Sequence, residues 1–123
     1  MNSLPRPSIL LIGNDPMIAY LIERYSRLGV YSLTATNTIP FIDIVFDLDP
    51  AAVIFTSMDC LESAQPLVCD LVNCDIPVFV CSSITDEARA YELGTDYCLL
   101  HPLTYDVFSS SMAARALLIT IHL

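Results

Sequence analysis

The sequence predicts a single α/β domain built on a parallel sheet covered by helices on both faces. Two observations carry that expectation. Short apolar runs alternate with amphipathic segments five times, and the length of 123 residues suits one domain. Of these residues 54% are hydrophobic and 15% charged, which provides for a core and excludes a disordered chain.

Ser8 to Ile12 is an unbroken apolar run, as expected of a parallel strand buried on both sides. It stops at Gly13-Asn14-Asp15-Pro16, where Asp15 is placed to cap a helix whose first position is Pro16. That first helix carries Met17, Ile18, Leu21, Ile22, Tyr25 and Leu28 at helical spacing, with Glu23 and Arg27 four apart and Gly29 as its stop. Val30 to Ala35 reads as the second strand. Thr38 is expected to cap a second helix with Ile42, Val45 and Phe46 on one face and Asp43 and Asp47 on the other, ended by Pro50.

The third strand is Ala52 to Phe55, followed by a Thr56-Ser57-Met58-Asp59 loop, and a third helix is placed near Gln65 to Asn73 with Pro66 in its first turn. Pro77 to Cys81 forms the fourth strand. Thr85 with Asp86 and Glu87 opens a fourth helix closed by Gly94, Tyr97 to Leu100 forms the fifth strand, and a fifth helix starts near Thr104 after His101-Pro102. Five βα units of this length suggest a flavodoxin-like doubly wound (βα)5 three-layer sandwich with sheet order 2-1-3-4-5, in which ligands bind at the carboxyl ends of the strands.

Charge and composition exclude several classes of function. Fourteen acidic residues against five arginines and no lysine give a formal charge of −9, the opposite of what phosphate neutralisation needs, so no direct nucleic-acid binding is expected. No apolar run approaches the length of a bilayer span, and no signal-peptide pattern opens the chain, so a cytoplasmic protein is expected. Cys60, Cys69, Cys74, Cys81 and Cys98 form neither a CxxC pair nor a disulfide framework and read as reduced, mostly buried thiols. With no P-loop, GxGxxG or GxSxG, an enzyme is not expected.

Four stretches then stand in order: ILLIGNDP from Ile9 to Pro16, PAAVIFT from Pro50 to Thr56, DIPVFVCSS from Asp75 to Ser83, and GTDYCLLHP from Gly94 to Pro102. With these, the chain resembles the receiver (CheY-like) domain of two-component response regulators over nearly its whole length. The resemblance implies transfer of a phosphoryl group from a kinase histidine to an aspartate at the end of the third strand. It further implies Mg²⁺ on an acidic pair after the first strand and a lysine on the phosphoryl oxygens.

Position by position, this chain departs from that pattern. The acidic pair falls on Gly13 and Asn14, with Asp15 adjacent, and the phosphoacceptor position on Thr56, whose neutral hydroxyl has no base in register. The lysine position is His101, and the aromatic switch position on the fifth strand is Cys98, with Tyr97 one residue earlier and so on the opposite face. Only the hydroxyl position after the fourth strand is retained, as Ser82. No metal or cofactor is expected.

Each sharp reading has a plainer competitor. Asp15 is explained by capping, Asp59 by a solvated loop, Thr56 by a strand-favouring residue filling the vacated pocket, and His101 by strand-end hydrogen bonding rather than pH sensing. Cys81 and Cys98 on neighbouring strands suggest a redox pair, but nothing basic nearby lowers a thiol pKa. The last helix, with Ala113, Ala114, Ala116, Leu117, Leu118, Ile119 and Ile121, has little polar surface and should be covered, by a partner or by continuation into a further domain.

The expectation is therefore one domain over residues 1–123 with an extension over 1–7. It is read as a pseudo-receiver in phosphorelay signal transduction, not phosphorylated at the usual site, that binds a signalling protein or a second copy through the fourth helix, fifth strand and fifth helix. The alternative is a small-molecule or redox sensor using a vacated pocket lined by Gly13, Asn14, Thr56, Ser82 and His101.

Overall fold

The structure is a computed structural model that describes residues 6–122, with side chains described as far as residue 114. Five parallel strands, β1 (Ser8–Ile12), β2 (Ser32–Thr36), β3 (Ala52–Phe55), β4 (Val78–Ser82) and β5 (Tyr97–Leu100), form one sheet of order β2-β1-β3-β4-β5. This is the doubly wound α/β order expected from the sequence, with β2 and β5 at the edges.

The helices are α1 (Pro16–Leu28), α2 (Ile42–Leu48), α3 (Met58–Ser63), α4 (Gln65–Asn73), α5 (Glu87–Glu92) and α6 (Tyr105–His122). Side chains alternate across each strand, so the sheet carries two cores. Ile9, Leu11, Ile54, Phe79, Cys81 and Leu99 pack beneath α1 and α6, whereas Leu10, Ile12, Val53, Phe55, Val78 and Val80 pack beneath α2 to α5. The central strands are buried along their length, which is why they read as continuous apolar runs.

Several local expectations need correction. Thr38 does not cap α2: its hydroxyl lies 3.3 Å from Thr36 Oγ1, and Phe41, nearer the helix, occupies the cap position without a side-chain bond. Phe46 does not share the buried face, since Val45 alone in α2 is fully buried and Ile42 partly so; Phe46 is exposed. The Ser57–Asp59 loop is instead the start of α3, with Ser57 Oγ accepting from the Cys60 N–H at 3.2 Å and exposed Asp59 in the first turn. The expected third helix over Gln65 to Asn73 is α4, preceded by the unexpected α3 and meeting it at Ala64, with Pro66 tolerated in the first turn of α4 because its missing N–H has no helical partner there.

Gly29 ends α1, but the left-handed residue is Val30, at φ 63°; a Cβ on Gly29 would lie 2.9 Å from the Tyr31 ring, so packing space accounts for that glycine. A 3₁₀ turn over Ile84–Asp86 precedes α5, which starts at Glu87. At the junction of α3, α4 and α5, the Gln65 side-chain amide donates to the Leu61 and Leu93 carbonyls at 3.0 and 3.1 Å. Among the described residues, no helix is long and apolar enough to cross a membrane. Residues 1–5 of the expected extension, and the side chains of Ala116, Leu117, Leu118, Ile119 and Ile121, lie outside the described residues.

Candidate functional site at the strand ends

The carboxyl ends of β1, β3, β4 and β5 meet at one end of the sheet, where a crossover fold leaves backbone and short loops facing outward. β1 runs into Gly13 at φ 138°, a conformation that residues with a Cβ rarely adopt. The close neighbour is Thr56: a Cβ built on Gly13 would lie 1.9 Å from Thr56 Oγ1 and 2.9 Å from Thr56 Cβ. Thr56 is held in register by its N–H, which donates to the Ile12 carbonyl at 3.0 Å, and is 1% exposed. The threonine therefore fills the space that a side chain at position 13 would need.

Two hydroxyls at this end are buried without a partner. Thr56 Oγ1 and Ser82 Oγ make no hydrogen bond within the described structure, although burying an unsatisfied hydroxyl costs about 1–3 kcal/mol. Asp15, the nearest carboxylate in sequence, has its Oδ1 engaged: it accepts from the Met17 and Ile18 backbone N–H groups, both at 3.1 Å, and so caps α1 as expected. Asn14 is exposed, and so is His101, whose backbone N–H donates to the Ser82 carbonyl at 3.0 Å.

The expected common pocket of Gly13, Asn14, Thr56, Ser82 and His101 is not formed. The cleft at this end, about 420 Å³, is lined by Gly13, Asn14 and Asp15 together with α1 residues and Asn37, while Thr56 and Ser82 lie beneath the surface. Burial explains the difference: Thr56 at 1% and Ser82 at 3% exposure present almost no surface at the strand ends.

The cysteines divide by face. Cys81 packs beneath α1 and α6 and Cys98 on the opposite side of the sheet, so they form no redox pair. Burial pushes the Cys81 thiol up to about 12, with the Asp15 charge adding to the effect, and burial also raises Cys98 and Cys60. These thiols are protonated and poorly nucleophilic at neutral pH. Cys69 and Cys74 are exposed, contrary to the expectation of mostly buried thiols.

Tyr97 stacks on Phe79 with ring centroids 5.3 Å apart, on the α1/α6 side, opposite to Cys98. Sequence reasoning missed two further residues. Cys60 reaches across from α3, and its thiol donates to the Ile12 carbonyl at 3.6 Å. Tyr91 of α5 interacts with Cys98, its hydroxyl raised first by burial and then by the Cys98 and Glu87 charges. No motif flags either, because each contact joins elements distant in sequence.

No protein-family model matches the sequence, and no curated protein matches it. Solved structures do. The signal receiver domain of a Luxo repressor protein from Vibrio parahaemolyticus matches with TM-score 0.72 at 17% identity, over 96% of this chain and 95% of that one. An orphan response regulator of H. pylori, HP1043, matches with TM-score 0.67 at 20% identity, over 90% and 98% of the two chains. The structure of an atypical orphan response regulator, described as revealing a phosphorylation-independent regulatory mechanism, matches with TM-score 0.67 at 18% identity over 88% and 93%. The fold is that of a receiver domain.

In a receiver fold the strand ends just described are where Mg²⁺ would be held, and these side chains do not suit it. Magnesium favours carboxylates in an octahedral oxygen set. Gly13, Asn14 and Thr56 supply none, and Asp15 already accepts two backbone N–H groups. Among the described residues, no three of His, Cys, Asp and Glu gather so as to hold a metal ion.

Proposed function

We propose that this chain is a pseudo-receiver of two-component signalling: a cytoplasmic, non-catalytic protein interaction module that works without phosphorylation at the usual site. The observation that carries this reading is Thr56, neutral, 1% exposed and packed directly against Gly13. An acceptor must present an ionised oxygen to an incoming phosphorus atom. A buried hydroxyl with no base meets neither requirement, and aspartyl phosphate has no residue on which to form. The lysine position offers exposed His101, and the retained hydroxyl, Ser82, is buried. The phosphorylation-independent mechanism reported for the atypical orphan regulator is consistent with such a use of the fold.

The partner contact is assigned to the face of α5, β5 and α6, with a signalling protein or a second copy as the occupant. Tyr91, 47% exposed, stands there as an aromatic anchor. Cys98 occupies the switch position, so coupling of site occupancy to rotation of an aromatic ring on β5 is not part of the proposed mechanism.

The test is an amide NMR titration of the intact chain with Mg²⁺ and beryllofluoride. Unchanged spectra are the expected result. Saturable shifts centred on Gly13, Thr56 and Ser82 would overturn the reading.

A further inference from the structure

At the β2 edge of the sheet, remote from β5, the helical cover is incomplete. The seven-residue α2 fully buries only Val45 and leaves Ile44 51% and Phe46 48% exposed; the preceding Phe41 is 84% exposed. Two apolar clefts flank Phe41. One, of about 330 Å³, lies between β2 and α2 and is lined by Leu10, Thr34, Ile39, Ile44 and Leu48 among others. The second, of about 380 Å³, runs from Ile39 and Ile42 to Pro66 and Leu67 of α4. Both share Ile39, Pro40 and Phe41, so the apolar surface is continuous from the sheet edge across the start of α2 to α4.

The edge strand adds unpaired backbone. Ser32 N–H donates to the Pro7 carbonyl and Thr36 O accepts from Gly13, so the intervening Leu33 and Ala35, out of phase by one residue, turn their backbone groups outward. The rim is charged with one sign. Asp43 and Asp70 line the second cleft, Asp47 is exposed on α2 one turn after Asp43 and Asp49 is exposed at its C-terminal end, and neither cleft contains an arginine or lysine.

We propose that this β2–α2 face is a docking groove for a basic amphipathic segment of a partner protein. Its apolar side chains would enter the two clefts, and its Lys or Arg side chains would lie against Asp43, Asp47 and Asp70. The charge pattern selects this occupant over a second copy. Two-fold pairing of the face would bring these carboxylates against their own counterparts, in a chain of formal charge −9. The proposal concerns the opposite edge from the α5–β5–α6 face and stands independently of it.

The experiment is an amide NMR titration of the full chain with a synthetic amphipathic peptide of leucine and lysine, set against the same peptide with glutamate in place of lysine. The lysine peptide is expected to shift the residues of the two clefts and to saturate. Its binding should weaken about tenfold or more in Phe41→Ser and in the doubly neutralised Asp43→Asn/Asp47→Asn chain, and on raising salt well past about 0.15 M. All three changed residues are exposed, so these chains should retain the parent fold. Equal binding of the glutamate peptide, shifts confined to α5–β5–α6, or no shifts at all would overturn the proposal. So would peptide-free dimerisation abolished by Phe41→Ser, which would assign the face to a second copy.

Discussion

Gly13→Ala tests directly whether Thr56 closes the strand ends. A Cβ at position 13 would lie 1.9, 2.9 and 3.0 Å from Thr56 Oγ1, Cβ and Cγ2. Rotating χ1 of Thr56 moves Oγ1 and Cγ2 but leaves the 2.9 Å contact with Cβ in place. Holding a non-glycine residue at φ 138° costs about 1–3 kcal/mol, and forcing an extra methyl into a filled space adds about 1–3 kcal/mol. The sum is about 4 kcal/mol, a large share of the roughly 5–15 kcal/mol typical of a domain. Thr56→Ala alone removes an unpartnered hydroxyl, worth about 1–3 kcal/mol, and a methyl worth about 0.8 kcal/mol, so it should be neutral or mildly stabilising. In the double variant the Oγ1 and Cγ2 contacts are lost but the Cβ contact stays, so part of the steric cost recovers, giving a coupling of about 0.5–3 kcal/mol. Urea unfolding followed by far-UV circular dichroism measures all four corners of the cycle. A Gly13→Ala cost below about 1 kcal/mol, or strict additivity with Thr56→Ala, would refute the packing argument.

Three other outcomes are open to measurement. Asp15→Ala should lower stability by about 1 kcal/mol through loss of the α1 cap, by the same amount with and without Mg²⁺ in the unfolding assay; a Mg²⁺-dependent difference would reassign Asp15 as a ligand. The raised Cys81 pKa has a definite sign. Below the ordinary thiol value of 9.0 both folded and unfolded chains are protonated and nothing changes. From there to about 12 the unfolded chain loses its proton first, so stability falls as pH rises. In native protein at pH 8, a thiol reagent should modify exposed Cys69 and Cys74 well before buried Cys81, as read by peptide mass.

Much of the architecture was legible because the signals were local. Asp15-Pro16 marks a helix start by its own chemistry, and the two-sided burial of β1, β3 and β4 writes itself as continuous apolar runs. Legibility failed where tertiary packing decided. Thr38 has the right side chain for a cap, but α2 starts only at Ile42 and the Thr38 hydroxyl lies 3.3 Å from Thr36 Oγ1, whereas Ser57 caps α3 in a stretch that looked like a loop. Phe46 fits a helical apolar stripe on paper, yet α2 sits over the sheet edge, where there is too little neighbouring structure to bury it.

At the strand ends the residue types at positions 13, 14, 56 and 101 are readable from the sequence alone. Their expected common pocket is not, because a sequence lists which groups are present without showing which of them the fold buries. Gly13 and Thr56 are far apart in the chain, and only the fold reveals that the space beside one is filled by the other.

The Gln65 amide, donating to Leu61 at the end of α3 and to Leu93 at the end of α5, makes one side chain a common anchor for three helix ends. Removing that amide would therefore take the side-chain donor from two carbonyls at once, so a change confined to one residue of α4 would be felt at both neighbouring helices.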